Sequence, residues 1–228
     1  MWKKVHSALI DFCRENDKVL DEGHGLVHFI SVFNHAKRAI QEHEFLDEIY
    51  IAALLHDVDD SKFFNNTDNS TNLMKLCGIP NESIKLVKEM IDLVSCSKNG
   101  CSDNVDSWKL IPRDCDRLEA IGNGGLLRAL QYNNHIKRDF MGNNTYPKTR
   151  EELMSNLSQE RFNNYKGKSE SYMDHLYDKV LYIGLPENLK SNNEYIHNKA
   201  KELQEQMIDT ILKLEEIKDL ERYLKQNL

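Results

Sequence analysis

The chain reads as all-α. Apolar residues recur at intervals of three and four along most of its 228 positions, and the apolar/polar alternation of β-strands is almost absent. Only four prolines and ten glycines interrupt that pattern. The expected architecture is a helical bundle with a long C-terminal helix. It forms one domain over 1–228, with a core at about 20–182 and a helical extension at 191–228 packing on it.

Each element has its own signal. Val5, Leu9 and Phe12 share one face of a first helix. Val27, Ile30 and Phe33, then Ala36, Ala39 and Ile40, mark a second. Leu46, Ile49, Ala52, Ala53 and Leu54 lead into a third that runs to His56. A short helix at 70–77 stops at Gly78, ahead of Pro80. Asn81 then offers an N-cap for a helix striped by Ile84, Val87, Ile91 and Val94. Leu118, Ile121, Leu126 and Leu130 follow Pro112, and Tyr172, Leu176 and Val180 mark a further helix. The last helix is highly charged, with Ala200, Leu203, Met207, Ile211 and Leu214 as its packing stripe. The polar stretches 64–72, 98–106 and 133–148 read as loops.

Charge and composition limit the functions available. Thirty Lys and Arg against 37 Asp and Glu leave a net charge of −7, which argues against a protein that wraps extended nucleic acid. A small nucleotide remains possible, because a few local cations suffice to hold it. No apolar run approaches the roughly 20 residues of a membrane span. Charge interrupts the N-terminal stretch before a signal-peptide core forms, so the chain reads as cytoplasmic. Five cysteines without a Cys-x-x-Cys pair read as free thiols.

Three segments carry residues that chemistry uses. His24 and His28 are four apart, on one helix face. His56-Asp57 closes the apolar run Ile-Ala-Ala-Leu-Leu, with Asp59, Asp60 and Lys62 just after it. Arg113-Asp114-Cys115-Asp116-Arg117 forms the third. Singly, each has an ordinary alternative: a surface histidine pair, a chance dipeptide, a solvated helix start. Position favours chemistry, since two adjacent polar residues ending an apolar helix cost several kcal/mol (roughly 2–7) unless something satisfies them. A divalent metal does so. Two imidazoles and two carboxylates suit Mn²⁺, Mg²⁺, Fe²⁺, Co²⁺ or Ni²⁺ better than a closed structural zinc site.

His28, His56-Asp57 and Asp116 together resemble the H…HD…D signature of the HD superfamily of metal-dependent phosphohydrolases. GHGLVHFISVFNHA is similar to that family's SHDxxHxxRVxxxA segment, and AALLHDVDDSKFF to its AALLHDVxDxKF. DCDRLEAIGNGGLLRA is similar to DADRLDAIGAxGxxR, and SYMDHLYDKVL to SxxxHFxEKLL. The four blocks occur in the family's order across 20–182. The wording is nearest to the small bacterial HD-domain proteins, some of which are nucleotide pyrophosphohydrolases. Departures include Gly25 where Asp is usual, Ser31 where Arg precedes the valine, Phe29 for a small aliphatic residue, and Cys115 and Glu119 in the third block.

The resemblance implies one divalent ion, Mn²⁺ first, with Mg²⁺, Co²⁺, Ni²⁺ or Fe²⁺ as alternatives. Its ligands are His28, His56, Asp57 and Asp116, with Asp114 as the competitor of Asp116. His24 is then a candidate acid or phosphate ligand, and Asp60 a candidate base. Lys62, Lys98, Arg117, Arg128 and Lys179 are candidate phosphate contacts, and His175 matches the histidine of the fourth block. Gly122 and Gly125 lack a preceding strand and a Gly-Lys-Ser/Thr sequence, so close helix packing suits them better than a phosphate loop.

The implied function is hydrolysis of a nucleotide, foremost a (deoxy)nucleoside triphosphate to monophosphate and pyrophosphate, by a metal-activated water. Another HD-type phosphomonoesterase or phosphodiesterase, or a non-catalytic nucleotide-binding protein, is the alternative. The implied partner is a small phosphorylated substrate, with neither extended nucleic acid nor membrane, and a homodimer is left open.

Overall fold

The computed structural model describes residues 1–16, 25–60, 68–94, 104–165 and 167–228. Among these residues the regular structure is helical throughout, apart from one isolated bridge between Asp139 and Ser171. None of the helices is long and apolar enough to cross a membrane. The chain divides into two compact units. One comprises Met1–Asp116 with Lys190–Ile196; the other comprises Arg117–Leu189 with His197–Leu228.

The first unit holds α1 (Trp2–Glu15), α2 (Leu26–Ala39), α3 (Leu46–Leu55), α4 (Asn69–Leu76) and α5 (Asn81–Val94). It also holds the start of α6 (Ile111–Glu119), which a 3₁₀ turn at Ser107–Leu110 precedes. Its centre is α3, whose residues from Ile49 to Leu55 are all buried. A helix that is apolar all round cannot present a face to water, so its neighbours α1, α2 and α5 surround it. Each buried Leu or Ile contributes about 1.5–3 kcal/mol, so a charge placed at Leu54 would break the unit. α1 buries Val5, Leu9 and Cys13, and burial pushes the Cys13 thiol up to about 11, which keeps it inert. Cys77 and Cys115 are also free thiols. Gly78 ends the turn after α4 with φ +71°, the left-handed conformation expected of such a stop.

The expected stripe of α2 is corrected. Val27 lies 77% exposed, and the buried residues are His28, Phe29, Val32, Phe33 and Ala36. The run Leu26 to Ile30 is apolar on nearly every side, so spacing left two adjacent faces open. Burying Phe29 with Val32 selects the face that carries His28 inward.

The second unit holds the end of α6, α7 (Gly122–His135), α8 (Arg150–Ser155) and α9 (Gln159–Asn164). α10 (Tyr172–His175) runs through a π turn at Leu176–Val180 into α11 (Leu181–Ile183). Most of α12 (Glu194–Leu212) and all of α13 (Leu220–Gln226) complete it. Gly122 has φ +72°, and a Cβ there would lie 2.7 Å from Leu203 of α12; close packing is thus its use. The Tyr172 hydroxyl donates to the Leu126 carbonyl at 3.0 Å, tying α10 to α7. α8 and α9 were not expected from periodicity. Their signals are the caps: Thr149 and Ser158 accept from the backbone N–H groups of Glu152 and Arg161. The C-terminal extension is two helices, not one, because Asp219 caps a separate α13 by accepting from Arg222 N–H.

Candidate metal centre

α3 delivers His56 at the point where its apolar sequence ends, as its C-cap in helical conformation. The ring is buried, and its Nδ1 lies 3.0 Å from the Ala53 carbonyl oxygen. A carbonyl only accepts, so the proton sits on Nδ1 and Nε2 is left to face a cation. Phe29, fully buried on α2, meets the His56 ring edge-on with centroids 5.6 Å apart and limits its rotation. That gives the departure at Phe29 a packing role. The same helix turns His28 inward.

The four expected ligands converge. His28 Nε2 lies 3.0 Å from His56 Nε2, 3.2 Å from Asp116 Oδ1 and 3.8 Å from Asp57 Oδ2. His56 Nε2 lies 3.4 Å from Asp57 Oδ2 and 3.6 Å from Asp116 Oδ1. Donors about 2.1 Å from one cation stand about 3.0 Å apart at right angles and about 3.4 Å apart in a tetrahedron. The 3.0, 3.2 and 3.4 Å separations fall in that range, and those of 3.6 and 3.8 Å correspond to wider angles about the ion, so the donor set fits a single divalent cation. Both histidines are buried, whereas the aspartates retain about a quarter of their exposure, which leaves an approach for water or substrate.

Electrostatics agree with a cation at this point. Burial acts to lower the His56 pKa, but the charge and hydrogen bond of Asp57, then the charge of Asp116, raise it to about 9. Burial acts to raise the Asp57 pKa, yet the His56 charge and hydrogen bond bring it below its ordinary value. The carboxylates draw a proton onto Nε2, the position a metal ion takes instead.

Asp114 and Asp116 point to different tasks. Asp114 is fully buried and accepts from Arg113 Nε at 2.9 Å and from Ser191 N–H at 2.8 Å. Both its oxygens are therefore used in holding α6 to the 190–196 segment. Asp116 Oδ1 faces the histidines.

The remaining expected residues are placed as follows. Asp60 lies on the turn after α3, with its N–H on the Asp57 carbonyl at 3.1 Å. Arg117 is buried, and its Nη1 donates to the Asn188 carbonyl at 2.8 Å; Arg128 Nη2 donates to the Glu119 carbonyl. Lys179 stands in the π turn, its Nζ 5.9 Å from the centre of the Tyr165 ring. His24, Lys62 and Lys98 lie outside the described residues.

Periodicity did not signal the support under the His56–Asp60 turn. Asp59 accepts from Ser70 N–H at 2.9 Å, from Ser70 Oγ, and from Lys88 Nζ at 2.6 Å. These bonds tie the turn to α4 and α5. A second carboxylate two residues after His-Asp was the available hint, but its partners are 11 and 29 residues away.

No protein-family model matches the chain. A protein of Acanthamoeba polyphaga mimivirus, uncharacterized protein L803, is 40% identical over 212 residues, covering 83% of this chain and 87% of that one. An HD-superfamily hydrolase from Bacillus thuringiensis superimposes with a TM-score of 0.62 at 20% identity, over 95% of this chain and 98% of that one. YpgQ of Bacillus subtilis, in complex with ADP, superimposes with a TM-score of 0.61 at 20% identity, over 95% and 98%. The chain therefore has the HD-superfamily hydrolase fold and belongs to the family of protein L803.

Proposed function

We propose that this protein is a metal-dependent phosphohydrolase that cleaves a nucleoside triphosphate to monophosphate and pyrophosphate. The approach of Asp57 and Asp116 to within 3.2–3.8 Å of the facing His28 and His56 nitrogens, on this fold, carries the reading. The ADP held by a protein of the same fold supports a nucleotide as the substrate class.

His28, His56, Asp57 and Asp116 would hold a divalent ion, with Mn²⁺ as the first choice. When bound, a divalent cation polarises a phosphoryl oxygen and lowers the pKa of water toward neutrality. The chain supplies the rest. The Ala53 carbonyl keeps His56 in the tautomer that offers Nε2. The Asp60 carboxylate takes the proton of the attacking water, and His24 protonates or orients the leaving phosphate. Lys62 and Lys98 neutralise charge that builds on the leaving group. Arg117 and Arg128 keep the backbone contacts described above.

The test is phosphorus NMR of a partial digest of a nucleoside triphosphate with added Mn²⁺. Monophosphate and pyrophosphate should appear together, without a diphosphate. Orthophosphate in place of pyrophosphate refutes attack at the α-phosphorus.

A further inference from the structure

The second unit contains a cluster of basic side chains that the metal centre does not use. His175 ends α10, and Lys179 follows one turn later within the π turn. Tyr165 sits beside both: its ring centroid is 5.5 Å from that of His175 and 5.9 Å from Lys179 Nζ. Arg138 approaches from the end of α7. Lys179 and Arg138 are the cations near enough to oppose protonation of His175.

Arg138 is held in place by its backbone. Its N–H donates to the Asn133 carbonyl at 3.0 Å, and the buried Asn133 side chain donates to the Arg138 carbonyl at 3.0 Å. Lys137, just before it, takes φ +54°, a conformation uncommon for a residue with a Cβ. Strain of this kind concentrates at functional positions, and so do π turns.

Three facts then point the same way. Arg138 Nη1 and His175 Nδ1 are buried side-chain nitrogens without a hydrogen-bond partner. Buried donors of this kind are rare, because each forfeits its hydration. Among the described residues, neither Arg138 nor Lys179 forms an ion pair. The neighbouring acids are already committed. Asp174 and Asp178 accept from Arg161 at 3.0 and 2.8 Å, with Ser171, Asn144 and Ser169 as further donors. Two cations and a neutral imidazole thus share a partly desolvated place in which, among the described residues, neither cation has an ion-pair partner.

We propose that Arg138, His175 and Lys179 form an anion site that binds a phosphate group. Arg138 supplies a planar guanidinium donor, Lys179 a mobile point charge, and His175, in its Nδ1–H tautomer, a neutral donor. The group is either a phosphate of the nucleotide or a free phosphate. The proposal rests on the functional reading only for the first of these sources.

The experiment uses full-length protein carrying His28→Ala, which removes an expected metal ligand from the other unit. Inorganic phosphate, then pyrophosphate, is titrated in while the His175 ring nitrogens are followed by ¹⁵N NMR. A saturable shift of Nδ1 is expected. Lys179→Ala and Arg138→Met should each weaken binding about tenfold or more, the loss typical of a charge-assisted hydrogen bond. Lys179→Arg should recover part of it, and circular dichroism shows whether each variant is folded. A His175 signal that phosphate leaves unmoved, or equal affinity in folded Lys179→Ala and Arg138→Met, overturns the site. Competition by a non-hydrolysable nucleoside triphosphate identifies the substrate's own phosphate, and absence of competition identifies free phosphate. Phosphate binding in a protein that turns over no nucleotide leaves this site standing and removes the functional reading alone.

Discussion

Replacing either of two aspartates on α6 by asparagine should have opposite consequences. Asp114 and Arg113 are both essentially inaccessible, 0% and 1% exposed, and Arg113 Nε bonds Asp114 at 2.9 Å. Removing one partner of a buried pair costs about 3–5 kcal/mol, because the other charge stays buried. Asparagine keeps an acceptor for Ser191 N–H, so Asp114→Asn belongs at the lower end, about 3 kcal/mol. At about 2–4 °C per kcal/mol for a chain of this size, Tm should fall by about 6–12 °C. Metal binding should survive in the fraction that remains folded. Asp116→Asn should do the reverse. It removes a negative charge from a site where two carboxylates already face each other, so the metal-free Tm should hold or rise. Loss of an anionic donor should weaken Mn²⁺ binding at least tenfold. Differential scanning fluorimetry of metal-free protein and titration calorimetry with Mn²⁺ separate the two effects. An Asp114→Asn variant with unchanged Tm and abolished metal binding refutes the assignment.

Asp60→Asn keeps the side-chain size and removes the base, so kcat should fall about a hundredfold with metal stoichiometry unchanged; an unaltered kcat by steady-state assay removes Asp60 from the chemistry. Lys88→Met deprives Asp59 of its cation and should cost about 1.5–3 kcal/mol in urea unfolding while weakening metal affinity, and Lys88→Arg should restore part of both. An unchanged urea midpoint would show that Asp59 is held without Lys88. The His175 pKa falls from 6.5 to about 3, through burial first and then the Lys179 and Arg138 charges. Below pH 6.5 the unfolded chain therefore binds a proton that the folded chain refuses, so stability declines as pH drops toward 3, by up to about 1.4 kcal/mol per pH unit. His175→Gln should flatten that acid limb in Tm measured against pH, and a limb of equal slope in both proteins contradicts the shift.

The all-α class was legible because it depends on local periodicity, which needs only neighbours three and four apart. The buried run from Ile49 to Leu55 and the turn to polar chemistry at His56-Asp57 are written in consecutive letters. So is the order of the four sequence blocks. The face of α2 was not legible, since Leu26 to Ile30 offers apolar side chains in nearly every direction. Asp114 and Asp116 were not separable either: two helical steps rotate them about 200° apart, but nothing local says which direction is inward. That was decided by the Ser191 N–H, 77 positions later, and by Arg113 turning back on Asp114. Arg117 was a candidate phosphate contact by residue type, and nothing local announced its bond to the Asn188 carbonyl 71 residues away. Lys88 under Asp59, and Arg138 beside His175, likewise depend on contacts between distant segments. Periodicity records which side chains avoid water, and that is a property of the local chain. The partner of a polar or charged group is a property of the place in which folding leaves it, and only the tertiary structure contains that place.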